Sequence, residues 1–301
     1  MEQIPLDNAY TLTHNRSMNR LSNEQRTAVV NCLIEECSIR STVRMTGVAK
    51  KTVVRLLVEV GAFCSEYQDR AFRNLKCQRI QVDEMWSFCY CKQKNLTSEI
   101  AEDRVAGDVW LWSAIDADTK LVPCWYVGQR DVIAATEFIA DLESRLANRV
   151  QLTSDGFKLY LNAVIDAFAD EIDYAQLVKY FGNEPEGQKR YSPAVCTGAK
   201  KVIRLGDPEV KHISTSYVGR HNLSVRMTVR RFTRLTNAFS KKIENHWAAV
   251  ALGYFAYNFI KINRTLRVTP AMAAGVTTRL WDVCDLVAAW GAYEREQKRA
   301  A

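Results

Sequence analysis

The stretch RIQVDEMWSFCY, residues 79–90, decides the fold of this chain. Apolar side chains alternate along it, at Ile80 and Val82 and then at aromatic positions, which is typical of a β-strand. Two acids, Asp83 and Glu84, interrupt the alternation at its centre. We therefore predict the first strand of a sheet here, with Asp83 within it.

The patterns that follow residue 90 predict the rest of the sheet. Two strand-like runs at 109–115 and 121–127 are separated by turn residues. The pattern then changes to a helix at 134–146, a short strand at 150–153 and a helix at about 157–168. Three antiparallel strands followed by helix, strand and helix match the start of an RNase H-like fold, a mixed α/β sheet flanked by helices.

The residues before the first strand predict a small all-α domain. Ser22, followed three residues later by Gln25, is a capping-box signature for a first helix. Helices at about 39–45 and 50–60, with a turn at 46–48, complete a helix-turn-helix pattern. The polar outer side of its third helix would enter the major groove with Lys50, Lys51, Thr52 and Arg55. A three-helix bundle used for dimerisation is the alternative.

The length of 301 residues suits a catalytic domain with a small accessory domain. Residues 1–20 carry no periodic pattern and predict a flexible lead-in. The helix-turn-helix domain and a linker helix take 21–76, and the RNase H-like domain takes 77–275. We expect a β insertion near 173–212 and a C-terminal helix at 276–301.

Composition indicates a globular protein with an anionic partner. Hydrophobic residues make up 48% and charged residues 25%, and the net charge is +7, which favours nucleic acid mildly. No apolar run reaches the roughly 18 residues of a membrane span, so we expect a cytosolic protein and no membrane partner. Nine cysteines lack zinc spacing and predict reduced structural thiols, with a metal site or a redox role as alternatives.

Two aspartates are the candidates for chemistry. Asp83 lies within the first strand, and Asp155 follows the short strand directly, before Gly156. Adjacent strands would bring both carboxylates to one point, as two-metal phosphoryl transfer requires, and oxygen ligands would select Mg²⁺ or Mn²⁺. Taken alone, Asp83 could be an edge-strand acid and Asp155 a helix N-cap.

Three segments resemble DDE transposases of the insertion-sequence-one family. The run VDEMWSF at 82–88, with KQKN after it, resembles the first catalytic motif, and TSDGFK at 153–158 resembles the second. The third match is the longest, with STSYV at 214–218, RHNL at 220–223 and RRFTRLTNAFS at 230–240.

The resemblance spans roughly residues 22–275 and implies a DNA transposase. It implies cleavage at terminal inverted repeats followed by strand transfer, with Asp83 and Asp155 holding two Mg²⁺ or Mn²⁺ ions. The implied partners are double-stranded DNA, both terminal repeats and target, and a second copy of the chain on that DNA. A cytoplasmic, nucleoid-associated protein is the corresponding expectation.

The resemblance also implies a third acid that this chain lacks. In the family, the last catalytic glutamate directly precedes the arginine at the position of Arg220, where this chain has Gly219. Glycine cannot ligate a metal, so we predict an inactivated copy, with Glu244 as the candidate substitute acid. The alternative is a non-catalytic, transposase-derived DNA-binding protein, such as a repressor.

The segment between Glu209 and Glu244 contains no acid. Its arginines at Arg226, Arg230 and Arg234 repeat every four residues, and apolar residues at helical spacing predict that they lie on one helix. Such a stripe is suited to a phosphate backbone, although a solvated surface face is the alternative. The predicted DNA contacts are Arg220, Arg226, Arg230, Arg231, Arg234, Lys241 and Lys242.

Two further features carry alternatives. Tyr180, Phe181 and Tyr191 in the predicted insertion could stack on bases, but core packing is the preferred interpretation. His246 is a lone histidine without a second ligand at metal spacing, so we predict a packed or capping role.

Overall fold

The computed structural model of the protein describes residues 21–182, 196–233 and 237–300. The predicted lead-in, the middle of the predicted insertion with Tyr191, and Arg234 lie outside these residues.

Six strands form one sheet in the order β3-β2-β1-β4-β5-β6. They are β1 Arg79–Cys89, β2 Gly107–Asp116, β3 Trp125–Gly128, β4 Gln151–Asp155, β5 Asp173–Phe181 and β6 Cys196–Leu205. Strand β1 pairs antiparallel with β2 and parallel with β4, and three of the five strand pairs are antiparallel. The result is a mixed α/β sheet flanked by helices, consistent with an RNase H-like fold.

Ten α-helices surround the sheet in the described residues. They are α1 Asn23–Ile34, α2 Ile39–Thr46, α3 Lys50–Ala71, α4 Ser98–Asp103, α5 Val132–Arg145, α6 Leu159–Phe168, α7 Ser216–Thr228, α8 Ile243–Phe255, α9 Pro270–Ala273 and α10 Val283–Ala300. A short π-helical turn, Ala256–Ile260, continues α8. None of these helices is long and apolar enough to cross a membrane.

The predicted β insertion is wrong in one respect, because β5 is an integral strand of the sheet. Residues 173–177 pair in parallel with β4, and the first half of β5 is buried. Only β6 continues beyond it as an antiparallel edge strand, mostly exposed. The second half of β5 is exposed, so the predicted core packing of Tyr180 and Phe181 is wrong.

The two faces of β1 pack against different helices, because successive side chains of a strand point to opposite sides. Ile80 and Val82 belong to a large core with Phe138 of α5 and Tyr160 of α6. Met85 belongs to a second core on the other face, with residues of α7 and α8. Asp83 and Gln81 share that second face, so α7 covers the strand where the predicted catalytic aspartate lies.

The N-terminal helices share the large core with the sheet. The predicted capping box is confirmed: Gln25 N–H donates to Ser22 Oγ at 3.3 Å, and Ser22 N–H donates to Gln25 Oε1 at 3.1 Å. Helix α3 runs to Ala71, past the predicted end near Val60. It lies so close to α8 that a Cβ on Gly61 would come within 2.7 Å of the Ala248 backbone.

The predicted continuous basic helix is wrong. Helix α7 ends at Thr228, Val229 is extended with φ −123° and ψ 99°, and Arg230–Phe232 form a 3-10 turn. Two adjacent β-branched residues disfavour the helix there. The break also turns Phe232 into the core, where its ring lies 5.1 Å from that of His246.

All nine cysteines are free thiols, and five of them are buried. The last helix, α10, returns to the N-terminal helices. Trp290 is buried, and the Arg26 guanidinium of α1 lies 3.5 Å from its ring centroid.

Candidate metal centre and nucleic-acid interface

Asp83, Glu84 and Asp155 form a carboxylate cluster at the point where β4 ends beside β1. One carboxylate oxygen from each residue lies within 4.8 Å of the other two. The strand pairing explains the meeting, because Gln81 is opposite Thr153 and each strand runs two residues further to an aspartate. Asp83 and Asp155 are 72 positions apart in the sequence, and the parallel pairing of β1 with β4 brings them into one site.

Glu84 is held rigidly on the side of the sheet that faces α6. Arg130 donates to its Oε1 from Nε at 2.9 Å and from Nη2 at 2.6 Å. Tyr160 donates its hydroxyl to Oε2 at 3.0 Å, and only 3% of the Glu84 side chain is exposed. The Arg130 guanidinium is fixed in turn over the ring of Phe157, at 3.9 Å from its centroid.

Helix α7 is attached to β1 immediately before the cluster. The Gln81 side-chain oxygen accepts hydrogen bonds from the backbone N–H groups of Tyr217 at 2.9 Å and Val218 at 3.1 Å. These are donors that the first turn of a helix leaves unpaired. One turn later, Asn222 Nδ2 donates to Asp83 Oδ2 at 2.8 Å.

The pKa values of the cluster reflect burial and like charge. Burial, together with the charges of Glu84 and Asp155, raises the pKa of Asp83 to about 7. Burial and Asp155 also raise the pKa of Glu84, while Arg130 opposes them. Carboxylates packed in this way are poorly stabilised as anions by the protein alone. A bound cation would relieve the mutual repulsion.

The cluster fits a divalent metal ion. Its three carboxylates lie close enough to share an ion, and Asn222, whose Nδ2 donates to Asp83, carries a buried Oδ1 without a hydrogen-bond partner in the structure. Hard oxygen donors of this kind suit Mg²⁺ or Mn²⁺. Asp155 keeps its geometry independently of any ion, because its Oδ1 accepts the N–H of Phe157 at 2.9 Å.

Gly219 lies in the first turn of α7 and is exposed. A Cβ built on Gly219 would meet no atom within 4 Å, so there is room for a side chain. Glu244, the substitute acid considered from the sequence, lies exposed in the first turn of α8. Burial and, to a smaller extent, the charge of Glu244 raise the pKa of Cys89, which lies six residues beyond Asp83 along β1. The structure therefore does not bring Glu244 to the carboxylate cluster.

Sequence reasoning missed Glu84 and Asn222. Strand alternation directs Glu84 away from Asp83, but β4 ends beside them, so both side chains can approach Asp155. The sequence signal that could have pointed to Glu84 is that it directly follows Asp83. The only sequence signal for Asn222 was its place in the RHNL motif. His221 of the same motif points inward, and its ring stacks on that of Tyr254 with 5.5 Å between the centroids.

A cleft of about 600 Å³ lies between the N-terminal helices and the segment after α7. Among the residues that line this basic cleft are five cations and one acid: Arg40, Lys50, Arg230, Arg231, Lys241 and Glu36. Arg231 Nε donates to Ser240 Oγ at 2.6 Å. Burial lowers the pKa of Arg231 to about 10, which leaves it charged at neutral pH. The cleft therefore presents net positive charge.

The other predicted DNA contacts are spread over separate surfaces. Lys51 and Arg55 are exposed on α3 and Thr52 is half-buried, while Val53, Leu56, Leu57 and Val60 of the same helix are buried, as the pattern predicted. Arg220 and Lys242 are exposed, whereas Arg226 is partly buried. Of the predicted DNA contacts that lie in the described residues, Lys50, Arg230, Arg231 and Lys241 line the basic cleft together.

His246 is fully buried, which agrees with a packed role. Its Nε2 lies 3.3 Å from Ser87 Oγ, and burial lowers its pKa to about 3. The ring is therefore neutral at physiological pH.

No protein-family model and no curated protein matches the chain. Among solved structures, it is similar to a simian T-cell lymphotropic virus intasome in complex with PP2A regulatory subunit B56 gamma, with 12% identity and a TM-score of 0.37 over 85% of this chain and 76% of that chain. It is also similar to a piggyBac transposase synaptic complex with hairpin DNA, with 12% identity and a TM-score of 0.41 over 95% of this chain and 76% of that chain. Likenesses at this level show neither a family nor an activity.

Proposed function

We propose that the chain is a DDE-type DNA transposase, related to the insertion-sequence-one family, with an RNase H-like catalytic domain. The observation that carries the proposal is the carboxylate cluster. Asp83 and Asp155 belong to separate sequence motifs, and their carboxylates lie within 4.8 Å of each other where β4 ends beside β1. A structural role alone does not account for three buried or half-buried acids whose one arginine partner in the described part of the chain is Arg130.

In this proposal Asp83 and Asp155 hold two divalent cations from neighbouring strands. The cations, when bound, supply Lewis-acid activation of water or a 3′-hydroxyl and stabilise charge on the leaving oxygen. Glu84 cannot swing away, because Arg130 and Tyr160 fix both of its oxygens. Helix α7 keeps Asp83 oriented through Asn222.

DNA would be held by two regions. The helix-turn-helix pattern of α1–α3 would recognise terminal inverted repeats through Lys51, Thr52 and Arg55 on the exposed side of α3. The basic cleft would hold the phosphate backbone without sequence preference, since cations on phosphates position DNA but do not read bases. Joining two transposon ends would require at least two copies of the chain.

Gly219 supports the further proposal that this copy is inactivated. Restoring the acid tests it, because a side chain at 219 has open space. In a supercoiled-plasmid assay with Mg²⁺ or Mn²⁺, we expect Gly219→Glu to cleave roughly 100-fold or more faster than the unchanged chain. Leu223→Glu, an exposed position on the same helix, is the matched control and should not gain activity.

The plasmid assay also identifies the site. Asp83→Ala in the Gly219→Glu background should abolish cleavage, since it removes a metal ligand. Cleavage by the unchanged chain at the rate of Gly219→Glu would refute inactivation while keeping the transposase proposal. Cleavage that survives Asp83→Ala would refute the metal-carboxylate mechanism itself.

The absent acid also favours a second candidate function, a non-catalytic DNA-binding protein that represses its relatives. That function predicts binding to terminal repeats that is indifferent to Mg²⁺ and to Asp83→Ala, and no cleavage by Gly219→Glu. Fluorescence anisotropy with labelled repeat DNA, with and without EDTA, separates the two candidates.

A further inference from the structure

Asn222 has an unusual environment for a helix residue. It is 7% exposed, and its Nδ2 donates to Asp83 Oδ2 at 2.8 Å. Its Oδ1 is buried and has no hydrogen-bond partner in the structure. A buried amide oxygen without a partner loses its hydrogen bonds to water and gains none from the protein, which destabilises the folded state unless another group binds it.

Exchanging the two ends of the Asn222 amide does not remove the problem. The exchange would bring Oδ1 against Asp83 Oδ2, and two acceptors cannot share a hydrogen bond when the carboxylate is ionised. The donated bond therefore fixes the amide with its oxygen unpaired. A neutral amide oxygen that has no donor, on a side chain that contacts the carboxylate cluster through Asp83, is suited to a cation.

We propose that Asn222 Oδ1 is a neutral ligand of a divalent cation in the carboxylate cluster, and that it keeps the metal centre occupied where Gly219 supplies no acid. This inference rests on the proposed function, which assigns the metal to Asp83 and Asp155. Asn222 lies three residues after Gly219, hence on the same side of α7. The helix thus offers an amide oxygen one turn beyond the missing carboxylate.

Metal binding and catalysis are then separate properties of this chain. A neutral amide contributes a coordinating oxygen without neutralising the cation's charge. We therefore expect the unchanged chain to bind a divalent cation even where it does not cleave DNA. Two roles of Asn222 must be distinguished, ligand of the cation and support of Asp83.

Opposite substitutions distinguish these roles. Asn222→Ala removes the oxygen and should weaken Mn²⁺ binding about tenfold or more, the size of effect seen when groups around a metal are lost. Asn222→Asp removes the donor to Asp83 but adds an anionic oxygen. A ligand role therefore predicts tighter Mn²⁺ binding for Asn222→Asp, whereas a purely supporting role predicts weaker binding.

The experiment measures free Mn²⁺ by electron paramagnetic resonance during titration of the full chain at pH 8, without DNA. Ser224→Ala, on the same helix, is the control and should bind as the unchanged chain does. Thermal melting with and without Mn²⁺ checks that each variant folds. A larger Mn²⁺-induced rise in Tm for Asn222→Asp than for the unchanged chain is expected.

Each result decides something. Equal Mn²⁺ affinity for the unchanged chain and Asn222→Ala, or weaker binding by a folded Asn222→Asp, would overturn the ligand role but leave the proposed function standing. If Asn222→Ala does not fold, the direction of change in Asn222→Asp decides alone. Failure of the unchanged chain to bind Mn²⁺ would overturn the proposed metal-dependent function, and the ligand role with it.

Discussion

The carboxylate cluster and the basic cleft collect charge of opposite sign in different ways. The cluster packs three acids within 4.8 Å, with burial raising the pKa of two of them, and its one described ion pair joins Glu84 to Arg130. The cleft spreads its cations over a surface, where Arg40, Lys50 and Lys241 are exposed. Concentrated buried charge is costly without a counter-ion, whereas exposed charge costs little.

That difference predicts two distinct responses. The cluster should respond to metal ions and pH, because its acids are desolvated and close together. The cleft should respond to salt, because its attraction for phosphates acts through solvent and is screened.

Removing one carboxylate should have the largest effect. We expect Asp155→Ala to weaken Mn²⁺ binding roughly 100-fold or more, since it removes a direct ligand and not a supporting group. Mn²⁺ titration by electron paramagnetic resonance gives the affinity. Asp166→Ala, an exposed acid on the neighbouring α6, is the control for lost charge. Equal losses in both variants would mean that the cluster is only a diffuse negative surface.

An effect of intermediate size is expected on the pH dependence of the free energy of unfolding. The pKa of Asp83 is raised to about 7 in the folded chain, above its ordinary value of 3.8. Between these two pH values the folded state binds more protons than the unfolded state does. The free energy of unfolding of the metal-free chain therefore falls as the pH rises from about 4 to about 7. Asp83→Asn should remove this loss and stabilise the metal-free chain at pH 8 by on the order of 2 kcal/mol.

Urea unfolding in EDTA at pH 5 and pH 8 checks this prediction, with Asp166→Asn as the control. A pH dependence of Asp83→Asn as steep as that of the unchanged chain would show that other groups dominate. In the unchanged chain, Mg²⁺ should reduce the loss of stability at pH 8, because a cation favours the ionised carboxylates.

The smallest effect is expected in the cleft. The double variant Arg230→Ala, Lys241→Ala should weaken binding to duplex DNA about tenfold near 0.15 M salt and lower the slope of log affinity against log salt by about 2. Lys298→Ala with Arg299→Ala, two exposed cations at the end of α10, is the matched control. If the control pair has the same effect, the cleft does not position DNA and only net charge matters.

Much of the fold was visible in local patterns. The alternation at 79–90 predicted β1, and the Ser22 capping box predicted the start of α1, because both depend on neighbours a few residues apart. The buried stripe of α3 followed from helical spacing for the same reason. Local patterns failed where burial overrides spacing, as at Val229, where the chain leaves the helix so that Phe232 reaches the core.

The candidate site, too, has features that the sequence predicted and features that only the tertiary structure shows. The sequence by itself determined that Asp83 lies in a strand and that Asp155 directly follows one. It also determined that Gly219 cannot supply an acid and that the segment from 210 to 243 contains no acid, because residue chemistry and local periodicity are visible along the chain. Only the tertiary structure decided that Glu84 joins the aspartates, that Asn222 lies with an unpaired oxygen beside Asp83, and that Glu244 is elsewhere. Those facts depend on where β4 stops beside β1 and how Gln81 holds α7 over the strand, and such long-range packing leaves no periodic signal in the sequence.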